Sequence, residues 1–286
     1  AQKVIDDAAA AQKVIDDAAA AQKVIDDAAA AAAEAAAAEA LVDTKALTTG
    51  LDVSSEFNLG AGDDIFVGTI TTAGTTDTLT SGDAMTGGDG TDTLRISAFG
   101  TGDIATSTPT LTGVEVISIA NAVTADTTAG VTLDLSLVDS SIATVGTSTS
   151  STAGVLTLIE STPNMVDATM AGRGDLTVNF RSGVNGTGTG DVLDLNLANV
   201  GTSASAASTF DASAGLDTLN ITSAATANYL TLGTGINDVT GITASGGGAL
   251  VLNLGTTAAA TSVDASDLTA ALSLSSIGAT NTTVTG

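Results

Sequence analysis

From Thr48 onward the chain is written in short runs that alternate apolar and polar residues, separated by turns rich in Gly, Ser and Thr. Leu94-Arg95-Ile96, Val114 to Ile119, Val131 to Leu137, Val155 to Leu158 and Leu176 to Phe180 are such runs. Leu193 to Leu197, Leu219-Asn220-Ile221, Leu250 to Leu254 and Leu272-Ser273-Leu274 continue the series. A period of two puts successive side chains on opposite faces of an extended backbone, so each run predicts a strand with one buried face. Most starts fall roughly 16–26 residues apart, an irregular repeat that fits one or two rungs per unit of a stacked β structure. A β-sandwich is the competing architecture, but it would bury aromatics and turn every 8–12 residues. Aromatics are only 2% of this chain: Phe57, Phe66, Phe99, Phe180, Phe210 and Tyr229. A thin core of Leu, Ile, Val and Ala suits small rungs stacked on one another. The prediction is a mostly β fold, a β-solenoid or β-roll-like stack of parallel strands over residues 46–286.

The first forty residues follow a different rule. Three identical copies of AQKVIDDAAA precede AAAEAAAAEA, and alanine-rich sequence free of Gly and Pro is helical by propensity. This predicts an N-terminal helical segment over residues 1–45, serving as an arm or anchor. Ten residues advance a helix by roughly 1000°, about 80° short of whole turns. The Val4-Ile5, Val14-Ile15 and Val24-Ile25 pairs therefore walk around such a helix, and no coiled-coil seam forms.

Charge narrows the partners. The chain carries 7 Lys+Arg against 32 Asp+Glu, a formal net of −25. Phosphate binding needs a basic footprint, so nucleic acid and anionic membrane surfaces are poor partners. Beyond residue 40 the acids are 21 Asp and only three Glu (Glu56, Glu115 and Glu160). Asp is a turn former and a hard oxygen ligand for calcium. With neither Cys nor His, disulfides, thiolate sites, zinc motifs and Ser-His-Asp triads cannot be built. No stretch has the apolar length of a membrane span, and no N-terminal secretory signal is evident. A mean hydropathy of +0.37 and regular alternation argue against disorder.

One stretch combines these features. Gly87 to Arg95, GGDGTDTLR, fills every fixed position of G-G-x-G-x-D-x-U-x, the calcium-binding nonapeptide of parallel β-helices. Glycines let the backbone turn tightly and present carbonyl oxygens. Asp92 offers a carboxylate, and Leu94 anchors the following strand in the core. Calcium takes six to eight oxygens, so carbonyls plus Asp suit it. Leu59 to Val67, LGAGDDIFV, fills the same frame except at its first glycine, with Gly60, Gly62, Asp63 and Asp64 in the turn. Weaker echoes lie at Gly215 to Leu219 and Gly190 to Leu193, and Asp83 and Asp89 are near enough in sequence to assist. The competing reading is a plain β-turn with a decorative Asp.

At FNLGAGDDIFVG, DTLTSGDAMTGGDGTDTLRIS and LTGVEVISI, the chain resembles the start of the β domain of RTX-type bacterial S-layer proteins and related secreted surface proteins. TFDASAGLDTLNIT and SVDASDLTAALSLSSI are similar to that family's recurring rungs. The resemblance implies a calcium-rich β-solenoid at the extracellular bacterial cell surface, exported by a type I route that uses a C-terminal signal. It implies Asp92 and Asp64 as side-chain ligands of Ca2+, with backbone oxygens around Gly88-Asp89-Gly90 and Gly60-Ala61-Gly62 completing the shells. It also departs from the family: the nonapeptides are not in tandem, the alanine decamers have no counterpart, and the end at NTTVTG suggests a domain trimmed at its C-terminus. The expected function is a structural, self-assembling surface subunit, S-layer or sheath, ordered by calcium. Its partners would be other copies of itself and cell-surface polysaccharide. The alternative is a secreted adhesin or binding module on the same scaffold.

Enzyme readings are weaker. Asp63-Asp64 and Asp264/Asp267 offer paired carboxylates, yet a sugar cleft would call for stacking aromatics. Arg173 and Arg181 could stabilise a lyase intermediate, but the surrounding acids repel uronates. Arg173-Gly174-Asp175 spells an adhesion tripeptide that reads equally well as a turn into the next strand.

Overall fold

In the computed structural model the described residues are 22–24, 42–124, 130–139, 141–150, 155–161, 167–180, 191–212, 215–224, 226–255, 260–276 and 282–286. Apart from the isolated residues 22–24 and the last few before position 46, the expected alanine-rich helix lies outside them. Thr44 and Lys45 are already strand, so sheet structure starts ahead of the expected boundary.

The strands, numbered in chain order, fall into two long parallel sheets. One has eleven strands: β1 (Thr44–Ala46), β2 (Ile65–Thr71), β4 (Thr93–Thr101), β6 (Val116–Thr124), β8 (Thr144–Ser150), β10 (Asp167–Ala171), β12 (Val192–Ala198), β14 (Thr218–Ala224), β16 (Gly241–Gly246), β18 (Ser262–Leu268) and β20 (Thr283–Thr285). The other has seven: β7 (Gly130–Asp134), β9 (Val155–Ser161), β11 (Asp175–Phe180), β13 (Ser208–Ala212), β15 (Asn228–Leu232), β17 (Leu250–Asn253) and β19 (Leu272–Ser275). A short pair, β3 (Ala84–Thr86) and β5 (Thr110–Thr112), lies between the early turns. From β6 onward the two sheets take alternate strands along the chain, so each of those turns contributes one strand to each face, whereas β1, β2 and β4 have no counterpart in the smaller sheet. This is a parallel β-solenoid of about nine turns.

Register gives the turn length directly. Ile65 pairs with Thr93, 28 residues on, whereas Ser262 pairs with Thr283, 21 residues on. The alternating runs were therefore a mixture of both sheets. Those at Leu94, Leu193 and Leu219 belong to the larger sheet, and those at Val131, Val155, Leu176, Leu250 and Leu272 to the smaller one.

Parallel sheets usually read as continuous apolar runs because both faces are covered. Here alternation survives because one face of each sheet meets solvent, as the buried–exposed pattern of β12 shows. The inward residues stack in register along the axis: Phe66 on Leu94, Leu94 on Ile117, and Ile117 on Val145. On the opposite sheet Val131, Leu156, Leu176 and Phe210 stack likewise. All of these are essentially fully buried. At roughly 1.5–3 kcal/mol per buried aliphatic side chain, this axial column is the main stabilising term.

Corners are held by polar side chains that satisfy backbone groups no strand can reach. Buried Asn228 accepts from the Val200 N–H (2.8 Å) and donates to the Ser223 hydroxyl (2.8 Å) and the carbonyls of Thr226 (3.1 Å) and Ala224 (3.3 Å). At an earlier corner Asp83, with no exposed surface, accepts from the backbone N–H groups of Asp52 (3.0 Å) and Thr80 (2.7 Å) and from the Thr80 hydroxyl (3.0 Å).

Candidate metal site

The two glycine–aspartate stretches, 28 residues apart, lie on adjacent turns with their motifs superposed. Ile65 pairs with Thr93 through Thr71 with Phe99, and Ala61 forms a parallel bridge with Asp89. The Asp89 N–H donates to the Gly60 carbonyl (3.1 Å), and the Gly62 N–H donates to the Asp89 carbonyl (2.9 Å). What looked like isolated copies is a stacked pair. The spacing that breaks tandem order in the sequence is simply one turn of the solenoid.

This stacking explains two of the glycines. Gly88 sits at φ 117°, and a Cβ there would lie 1.9 Å from the Gly60 carbonyl oxygen. Gly90 sits at φ 126°, with the Gly62 carbonyl 2.2 Å from its would-be Cβ. Both need the left-handed region and the close backbone approach that only glycine allows. Gly60 has open space around its own would-be Cβ.

The acids immediately before the strands form a ladder. The Asp43 N–H donates to Asp64 Oδ1 (2.7 Å), the Asp64 N–H to Asp92 Oδ1 (2.8 Å), and the Asp92 N–H to Glu115 Oε2 (2.8 Å). The carbonyls are engaged as well: Asp43, Asp64 and Asp92 accept from the N–H groups of Ile65, Thr93 and Val116. Asp64, Asp92 and Glu115 thus each cap the turn before, and each is tied by its own backbone to the turn after it. The same device recurs where the sequence carries its weaker echoes, with the Asp191 N–H donating to Asp217 Oδ2 (3.1 Å) one turn away.

Asp92 is the unusual member. It has no exposed surface, and its Oδ2 has no hydrogen-bond partner. That oxygen and the Gly113 carbonyl both crowd the point where a Gly87 Cβ would sit, at 2.3 and 2.0 Å. Burial pushes the Asp92 carboxyl up from 3.8 to about 6. The hydrogen bond from the Asp64 N–H opposes that rise, while the negative charges of Glu115, Asp64 and Asp63 add to it. A buried carboxylate oxygen with no donor calls for either a proton or a cation.

The other expected site residues are placed as follows. Asp64 is buried beside Asp92, and Asp63 is exposed with its Oδ1 accepting from the Thr91 N–H (2.8 Å). Asp89 enters through its backbone, and its side chain faces solvent. Asp83 belongs to the separate corner with Asp52, where three donors occupy its carboxylate. Among the described residues, no three acids converge closely enough to form a metal cage of side chains alone. A cation at Asp92 would therefore draw on the carbonyls of the glycine turns.

Comparison with family models, with curated proteins and with solved structures finds no match for this chain. Residues and geometry alone carry the functional argument.

Sequence reading passed over two members of the ladder, Asp43 and Glu115. The usable signal was an acid directly before an alternating run, seen in Asp64-Ile65, Asp92-Thr93, Glu115-Val116 and Asp217-Thr218. Glycine-centred patterns conceal it, because the turn before Glu115 carries no G-x-G.

The remaining constellations lie elsewhere. Asp175 of the adhesion tripeptide is largely buried, which raises its pKa, and its Oδ1 accepts from the Thr209 N–H (2.6 Å) on the neighbouring turn. Its carboxylate thus serves the stacking of the solenoid, while Arg173 is exposed. Asp264 and Asp267 lie on the outer face of the larger sheet, with Asp167 and Asp194, around a shallow depression of about 370 Å3. No aromatic ring lines it. No helix among the described residues is long and apolar enough to cross a membrane.

Proposed function

We propose that the chain is a structural, self-assembling subunit of a bacterial surface layer or sheath whose folding and assembly are ordered by calcium. The observation that carries this reading is Asp92 Oδ2, a fully buried carboxylate oxygen without a partner, set in a column of acids one turn apart. Neighbouring strands in a sheet lie about 4.7–4.9 Å apart, and like charges so placed repel. The donor set is all oxygen, which suits a hard cation such as Ca2+. Asp92 and the glycine-turn carbonyls would hold it, and Asp64 would contribute its charge from the turn before. Bound calcium would neutralise the column and clamp adjacent turns together.

Several properties of the chain support a structural role outside the cell. Its net charge of −25 demands counter-ions, and extracellular calcium modules work near 10⁻⁴–10⁻³ M. In that range export itself would switch folding on, since metal binding and folding are coupled. Parallel edge strands offer backbone groups for lateral or axial contacts between copies.

The test is a calcium titration of the whole chain, followed by circular dichroism, light scattering and electron microscopy. The expected outcome is a gain of β signal and a regular array or fibre between excess EGTA and millimolar calcium. Signals that do not differ between the two would refute the calcium mechanism. Calcium-dependent folding to monomers that bind a cell-surface receptor would replace the lattice subunit with an adhesin module.

A further inference from the structure

The ladder ends at Glu115, and this position is set apart from the others. Val116 pairs with Thr144, so the residue in register with Glu115 on the following turn is Ala143. Its N–H donates to the Glu115 carbonyl (2.9 Å), and its methyl brings no oxygen into the column. Asp43 and Asp64 are capped by aspartates, but Asp92 is capped by the longer glutamate, through Oε2 at 2.8 Å. Glu115 is only partly buried, yet its carboxylate reaches the most buried member of the column. Of the neighbouring charges that act on Asp92, Glu115 acts most strongly.

We infer that Glu115 is a positioning residue of the Asp92 cation site. It fixes the Asp92 backbone through its N–H and supplies the extra negative charge that makes the site demand a divalent ion. The inference rests on the calcium reading above and extends it to a third turn. The site then spans residues 64, 92 and 115, so one binding event couples three successive turns. Outer partners that orient a ligand typically change metal affinity 10–100-fold when removed.

The two contributions separate by substitution. Glu115→Gln keeps an oxygen acceptor for the Asp92 N–H and removes the charge, whereas Glu115→Ala removes both. Calcium affinity would be measured by isothermal titration calorimetry, and thermal midpoints in EGTA and in saturating calcium. Glu115→Gln should weaken calcium about tenfold and melt higher than wild type in EGTA, because a like charge has left the column. Glu115→Ala should weaken calcium further and melt below Glu115→Gln in both conditions. If Glu115→Gln matches wild type in affinity and in both midpoints, Glu115 is only a backbone cap and the inference is overturned. If wild type itself binds no calcium, the calcium reading fails with it. In that case a higher Glu115→Gln midpoint in EGTA would still report repulsion within the column.

Discussion

Replacing Asp92 with Asn isolates the buried charge at the centre of the ladder. Asn keeps an oxygen to accept from the Asp64 N–H, now 2.8 Å from Asp92 Oδ1, and places an N–H donor where Oδ2 has no partner. In the folded chain the Asp92 carboxyl titrates near 6 rather than 3.8, chiefly because of burial. A carboxyl raised on folding favours the native state while it is protonated in the fold. The benefit is complete below pH 3.8, declines as pH climbs through the interval to about 6, and is gone above it. That interval corresponds to roughly 2–3 kcal/mol of stability lost to ionisation when no cation is present. Urea denaturation of both proteins in EGTA, from pH 4 to 8, measures it. The wild-type curve should fall by this amount more than the Asp92→Asn curve, and the variant should be the more stable at pH 7. With saturating calcium the order should reverse, since wild type gains the binding energy and the variant has lost the carboxylate ligand. An Asp92→Asn protein that is less stable than wild type at pH 7 in EGTA, with the same pH dependence, would refute the reasoning. It would mean that the ionised carboxylate is already satisfied by the protein.

Two further substitutions test the packing. Gly88→Ala places a methyl 1.9 Å from the Gly60 carbonyl oxygen at φ 117° and should cost more than about 3 kcal/mol or abolish folding, whereas Gly60→Ala, with open space at that position, should stay within about 1 kcal/mol of wild type in the same melts. Equal effects would show that the two turns are not stacked through Gly88. Ser208→Ala removes a buried hydroxyl with no hydrogen-bond partner and should leave the thermal midpoint unchanged or raise it, by up to about 1 kcal/mol of stability; a clear loss would reveal a partner for that hydroxyl.

Much of the architecture was legible in the residues. Alternation at Leu94-Arg95-Ile96 or Leu193 to Leu197 dictates extended backbone with one apolar face, because side chains of a strand point to opposite sides in turn. Scarce aromatics and abundant Leu, Ile, Val and Ala set a thin core, and these two properties were enough to choose a stacked parallel fold over a sandwich. The Gly87 to Arg95 stretch identified Asp92 as the carboxylate of interest by its spacing alone.

Strands that lack strict aliphatic alternation were harder to see. β8 includes Gly146, Thr147 and Ser148, and β18 places Asp264 and Asp267 on its outer face. Their extended form follows from pairing with neighbours already in place rather than from local propensity. Register was the other quantity hidden from the sequence. The repeat measured along the larger sheet varies between 21 and 28 residues, and along the smaller sheet between 20 and 34, because corners of different size can be inserted without disturbing the strands. Only the assembled solenoid could show that Gly60 lies against Gly88, or that Asp43, Asp64, Asp92 and Glu115 stand in one column. Composition made the chain acidic, and local pattern put an acid ahead of several strands. Stacking decided that those acids meet, because hydrogen bonding between turns joins residues more than twenty positions apart. It is that meeting which turns Asp92 from a turn residue into a buried charge in need of a partner.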